Sequence, residues 1–139
     1  PASVVQGSDM FVFYHDVSGG DLRQAKWDGL LQSWSFQTLD GTSDSPGKYN
    51  TNLGYEPFAI TYGTSLQLYY YDSTNGNLRH AWKVGNLWNF ENLDGDQGSV
   101  SMYSSNLGQY STVTVLNNTI QLYYQDAANG DLRHAWFLP

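Results

Sequence analysis

Apolar and polar positions alternate in short runs along this chain, and the runs recur. From Leu66 to Trp82 the sequence reads LQLYYYDSTNGNLRHAW. Leu66 and Leu68 alternate there with Gln67 and Tyr69, the period of a strand. The polar stretch Asp72–Asn77 follows, and its Asn75-Gly76 pair favours a tight reversal. The pattern predicts strand A over Phe58–Tyr62, strand B over Leu66–Tyr71, strand C over Leu78–Trp82 and strand D over Trp88–Leu93, closed by Asp94-Gly95. No segment sustains a helical period.

The same reading applies three times. IQLYYQDAANGDLRHAW (Ile120–Trp136) is a close copy, and MFVFYHDVSGGDLRQAK (Met10–Lys26) a diverged one. Arg23, Arg79 and Arg133 take equivalent places, 56 and then 54 residues apart. The linking segments repeat as well. WSFQTLDG (Trp34–Gly41) matches WNFENLDG (Trp88–Gly95), and YNTNLG (Tyr49–Gly54) matches YSSNLG (Tyr103–Gly108). Four short antiparallel strands in a repeat of this size predict an all-β fold of β-propeller-type blades, about three per chain. The chain reads as one repeat domain, 1–139, with repeats at about 1–54, 55–108 and 109–139, the third without its last strand. With Val4–Gly7 as strand A of the first repeat, that is eleven strands. Closed propellers have about four to eight blades. The expectation is therefore completion by oligomerisation, most simply a dimer forming a six-bladed ring, or membership of a longer array.

Composition narrows the partners. Aromatic residues make up 16% of the chain and charged residues 14%, and the net charge is −7. Such a balance argues against nucleic acid and against anionic membranes. No apolar stretch is long enough to span a membrane, so no membrane insertion is expected. There is no Cys, hence no disulfide framework and no thiolate zinc site. His15, His80 and His134 lack metal-ligand spacing, and no cofactor is expected. The absence of a secretory signal predicts a cytoplasmic or unconventionally released protein if Pro1 is a native start.

The strand B and C pattern IQLYYQDAANGDLRHAW resembles the repeat of the six-bladed fucose-binding lectins of fungi and bacteria. The likeness covers the core of all three repeats, including LRQAKWDG (Leu22–Gly29). It implies sugar sites between adjacent blades, where an Arg on strand B and a Glu on strand C hold hydroxyls and aromatics stack on the ring. It also implies short chains that complete a ring by assembly. Carried over by position, the Arg becomes Gln67 and Gln121, the Glu becomes His80 and His134, and the first repeat holds Phe11 and Gln24. The fucose-reading pair is absent from every repeat.

Sugars present hydroxyl pairs on one side and C–H on the other, so a site needs a flat aromatic beside a few fixed polar groups. Strand alternation puts Leu78, His80 and Trp82 on one face and Arg79 and Ala81 on the other. The candidate carbohydrate contacts are Gln67, Arg79, His80 and Trp82, with Gln121, Arg133, His134 and Trp136 in the next repeat. Each has a plainer reading. The tryptophans, like Trp34 and Trp88, can pack between blades, and the arginines can pair with the turn aspartates Asp72 and Asp126. Tyr49, Tyr103, Asn52 and Asn106 in the D-to-A crossover are weaker candidates. Asn117-Asn118-Thr119 is a glycosylation sequon of a kind frequent by chance.

Catalysis is less well supported. Glu56 and Glu91 are the only glutamates and form no shared pair of the sort a glycosidase needs. His80 and His134 could serve acid–base hydrolysis, but equivalent places in successive repeats do not make one asymmetric site. The sequence thus reads as a non-catalytic lectin binding glycans or glycoproteins multivalently as a homo-oligomer. The alternatives are an adhesion module excised from a larger secreted protein, a hydrolase using His80 and His134, and a protein-binding scaffold.

Overall fold

The computed structural model describes residues 1–42, 44–47, 50–95 and 106–138, and every regular element among them is a strand. β1 (Ala2–Gln6), β2 (Asp9–Asp16), β3 (Asp21–Asp28) and β4 (Ser33–Asp40) form the first blade. β5 (Leu53–Tyr62), β6 (Ser65–Asp72), β7 (Asn77–Val84) and β8 (Leu87–Asp94) form the second. β9 (Leu107–Leu116), β10 (Thr119–Asp126) and β11 (Asp131–Phe137) form the third. Each is an antiparallel meander of sequence neighbours, and the order and number of strands follow the sequence pattern. The first strand of the second blade is longer than its apolar run. β5 starts at Leu53 and passes through an irregularity between Tyr55 and Phe58, where Glu56 has φ 48° and Pro57 has no N–H to pair.

Local chemistry explains the turns. Asp72 Oδ1 accepts the backbone N–H groups of Thr74 (3.0 Å) and Asn75 (3.2 Å), and Asp126 and Asp16 do the same in their own turns. The carboxylates are thus committed to closing the β2–β3, β6–β7 and β10–β11 hairpins. At the β9–β10 reversal, Asn117 and Asn118 both have positive φ, 50° and 60°, as a two-residue hairpin of that hand requires.

The blades are sealed to one another by three devices. The first is apolar. One core joins Phe11, Phe13, Leu22 and Leu39 to Leu53, Leu66, Leu68, Tyr70 and Ala81, across the first and second blades. The other joins Tyr69, Leu78 and Leu93 to Leu107, Val113, Ile120, Leu122 and Tyr124, across the second and third. Each blade therefore buries a face only by stacking on a neighbour.

The second device is the Asn-Leu-Gly segment. Leu53 N–H donates to Gly20 O (3.0 Å) and Ser73 N–H to Asn52 O (3.0 Å); Leu107 N–H donates to Gly76 O and Ala127 N–H to Asn106 O (both 2.8 Å). The crossover is stitched to the hairpins on either side of it. Gly108, at φ 102°, lies so close to β7 that a Cβ there would sit 2.6 Å from Leu78 Cα. Gly108→Ala should cost about 2 kcal/mol, combining backbone strain with overpacking. Gly63→Ala, at φ 58° in open space, should cost about 1 kcal/mol. Urea denaturation of the pair checks this; equal losses would mean that the close approach at Leu78 is not constraining.

The third device, at Arg79, corrects one expectation. It does not pair with the turn aspartate Asp72 but crosses the junction to Asp40 at the end of β4, with Nη2–Oδ2 at 2.8 Å. Tyr70 donates its hydroxyl to the same oxygen (2.6 Å), and burial pushes that phenol well above its usual range, so it stays a donor. The next junction repeats the motif. Tyr124 donates to Asp94 (2.6 Å), with its phenol pushed up to about 12 by burial, and Arg133 Nε lies 3.4 Å from Asp94. Arg23, which has no earlier blade beside it among the described residues, turns to its own hairpin aspartate, Asp16, at 3.4 Å.

Three partly exposed carboxylates of the first blade are held ionised. Asp9 is lowered chiefly by its hydrogen bond from Lys26, Asp16 chiefly by Ser18, and Asp28 chiefly by the backbone N–H of Leu31. Their folded values lie below the unfolded ones, so their contribution is present above about pH 4 and lost as pH falls through the folded values. Unfolding midpoints in urea should therefore drop between about pH 4 and pH 2; a flat profile there would contradict the assignment.

Candidate functional site

Three strands of the second blade bring one polar chain together. In the sheet register His80 of β7 lies opposite Tyr69 of β6 and Glu91 of β8, and Gln67 lies opposite Trp82. Leu78, His80 and Trp82 face the third blade, while Arg79, Ala81 and Lys83 face the first. His80 Nδ1 is 2.7 Å from Glu91 Oε1, and Nε2 is 2.8 Å from Gln67 Oε1. Gln67 Nε2 donates to Ser65 Oγ (2.9 Å), whose hydroxyl donates to Lys83 O (2.9 Å). An imidazolium donates to both acceptors at once. A neutral ring with its proton on Nδ1 would require the Gln67 amide to turn and donate to Nε2. The state of one ring thus dictates the orientation of its neighbours.

Aromatic rings hold the imidazole in place. Tyr69 stacks on His80 at 4.7 Å and 5°, and Trp82 at 5.0 Å and 23°. Phe137 of the third blade meets His80 at 5.7 Å. His80 and Gln67 are almost fully buried, yet they line a pocket of about 480 Å³. Its walls come from the β5–β6 turn (Tyr62–Ser65), from Trp82, Val84 and Glu91, and from Phe137 and Leu138 of the third blade. The pocket lies at a blade junction and combines a flat aromatic edge with convergent donors and acceptors. Pockets of this size and mixture suit a small polar ligand.

The equivalent places in the other repeats are not equivalent environments. In the third blade His134 Nε2 is 2.8 Å from Gln121 Oε1, Tyr123 stacks on the ring at 4.5 Å, and Trp136 lies at 5.3 Å. Gln121 donates to Thr119 as Gln67 does to Ser65. This half-site opens to solvent: Trp136 is 67% exposed, and the described residues contain no fourth strand to supply a Glu91 counterpart. At the first junction the places hold Phe11, Gln24 and Lys26. There Lys83 reaches over the Phe11 ring at 5.2 Å, and Trp88 sets its edge on Phe13 at 5.7 Å.

Other candidates are placed elsewhere. Arg79 lies on the opposite face of its blade from the pocket and binds Asp40, while Arg133 shares the face of Phe137 at the pocket's junction but is held at Asp94 and does not line the pocket. Trp88 packs between blades as expected, whereas Trp34 is 44% exposed against Trp27 and Phe36. Asn106 accepts a hydrogen bond from Tyr71, and the Asn52 side chain meets His15 and Tyr55, so both serve the crossover. Tyr49 and Tyr103 lie outside the described residues. His80 and His134 sit in separate blades and do not converge on one acid–base site. No cluster of three potential metal ligands occurs among the described residues.

Sequence reasoning missed Glu91, Ser65 and Phe137. The signal for Glu91 was present: counting outward from the Gly85-Asn86 reversal, where Val84 pairs with Leu87, places it directly across from His80.

No protein-family model matches the chain, and no curated protein matches it by sequence. Among solved structures, a fucose lectin from Kordia zhangzhouensis, in complex with methyl-fucoside, has a similar fold. The TM-score is 0.58 at 15% identity, over 99% of this chain and 96% of that one.

Proposed function

We propose that this protein is a carbohydrate-binding lectin whose principal site is the junction pocket between the second and third blades. The observation that carries this reading is the convergence of Gln67, His80 and Glu91 beside Trp82 in a pocket between blades. The polar chain offers both acceptors and donors to vicinal hydroxyls, and the indole offers a flat face to sugar C–H. A propeller of similar fold that is described as a fucose lectin supports the class of ligand. Gln121, His134 and Trp136 form a second, half-built site. Arg79 and Arg133 belong to blade stacking rather than to the sugar.

The end faces of the stack support self-assembly. Leu78 is fully buried by the third blade, but its counterpart Leu132 is 77% exposed. Trp88 and Phe90 pack on the first blade, but their counterparts Trp34 and Phe36 are 44% and 63% exposed. Faces that mate inside the chain are thus free at its two ends. Head-to-tail docking of copies would cover them, and two copies would make a six-bladed ring with repeated sites and the avidity that follows.

A glycan array with the purified chain, alongside its solution mass, tests both parts. Selective binding to one terminal sugar, lost in His80→Ala, supports the lectin. A blank array from a well-folded protein discards it in favour of a protein-interaction scaffold. A monomeric mass at micromolar concentration discards the ring.

A further inference from the structure

We infer that the junction pocket takes neutral sugars and rejects anionic ones, and that Glu91 is the discriminating residue. This rests on the carbohydrate reading above and specifies the chemistry of the ligand. Glu91 is the one side chain of the pocket wall that is a carboxylate, and it is 34% exposed at the opening. One of its oxygens is engaged by His80 Nδ1, which leaves acceptor capacity for a sugar hydroxyl.

The pocket wall contains no lysine or arginine. The cations nearest in sequence are engaged elsewhere: Arg133, on the face of Phe137, is held at Asp94, and strand alternation turns Arg79 and Lys83 away. Arg79 faces the first blade and binds Asp40, and Lys83 faces the same way, over the Phe11 ring. A neutral ring brings hydroxyl donors to Glu91. A uronic acid or sulfated sugar brings a second negative charge into a space partly closed to water, with no ammonium or guanidinium in the wall to receive it and with both ring nitrogens of His80 already engaged by Glu91 and Gln67. Like charges brought together at a binding site are strongly unfavourable. The net charge of −7 acts in the same sense on approach.

The test uses the full chain and an array that carries neutral sugars, their uronic acids, the methyl esters of those acids, and sulfated forms. The ester matters because it keeps the shape of the uronate and removes its charge. The expected result is binding to a neutral sugar and to an ester of matching shape, with the charged forms at least about tenfold weaker. Glu91→Gln should narrow the gap between uronate and ester at least threefold. Val84→Lys, at a pocket-lining residue 60% exposed, should narrow it too by supplying a cation without disturbing the core. Uronates or sulfated sugars bound as tightly as neutral ones would overturn the inference and leave the lectin intact. An unchanged gap in both variants would also overturn it. Failure of the folded protein to bind any sugar would overturn the lectin reading itself.

Discussion

Asp40→Ala should lower the free energy of unfolding by about 3–5 kcal/mol, the usual consequence of stripping one partner from a buried ion pair. Asp40 is fully buried. Its Oδ2 receives Arg79 Nη2 at 2.8 Å, Arg79 Nε at 3.0 Å and the Tyr70 hydroxyl at 2.6 Å. Its Oδ1 receives Gly41 N–H at 3.1 Å. Removing the carboxylate leaves a guanidinium that is 3% exposed without its counter-charge, inside a junction that water cannot reach. Single domains are stable by only about 5–15 kcal/mol, so this variant sits close to unfolding. Asp16→Ala provides the contrast. It removes the partner of Arg23 and the acceptor of the Ser18 and Gly19 N–H groups, but the Asp16 and Arg23 side chains are 28% and 30% exposed, and solvent-screened pairs and turn bonds of this kind contribute far less than a buried pair. Asp40→Ala combined with Arg79→Met should recover part of the loss, because no buried charge is then stranded. Urea denaturation of the four proteins decides the matter. Equal losses for Asp40→Ala and Asp16→Ala would mean that the junction network is not what joins the first two blades.

His80→Ala should weaken binding of the best neutral glycan about a hundredfold, or about 2.7 kcal/mol. The loss is large because three things go together. Gln67 and Glu91 lose the group that orients them, the stack of Tyr69, His80 and Trp82 loses its centre, and the pocket floor opens. Partners left unsatisfied in a desolvated site cost more than the mean hydrogen bond. His134→Ala should change binding of a monomeric chain by less than about threefold, since its half-site is open to water and lacks a carboxylate. Titration calorimetry at concentrations below assembly separates the two, with near-UV circular dichroism to check that the core is intact. Equal losses at His80 and His134 would argue for two sites of the same kind and against a single complete pocket.

Much of this architecture was legible in the chain itself. The strand period, the Asp-to-Gly hairpins and the Asn-Leu-Gly crossovers act over a few residues, so their geometry is written where they occur. Eleven strands in three blades followed from that, and so did the shared face of His80 and Trp82. Strand ends were less legible, because β5 extends past its apolar run by pairing through a bulge at Glu56 and Pro57. The site was legible only in part. His80 and Gln67 announce themselves by repetition, but Glu91 enters through the register of β8, and Phe137 through the docking of the next blade.

What the sequence by itself determined is the repeating unit: which residues form strands, where they turn, and which side chains share a face. Only the tertiary structure decided what each copy becomes. Leu78 and Leu132 occupy the same place in near-identical repeats, yet one is sealed and the other is 77% exposed. Arg79 reaches the aspartate of the blade before it, while Arg23, with no such aspartate beside it among the described residues, pairs within its own turn. His80 closes a pocket that His134 leaves open. The physical reason is that burial, ion pairing and ligand shape here belong to the junctions between repeats, and a junction depends on which neighbour is present.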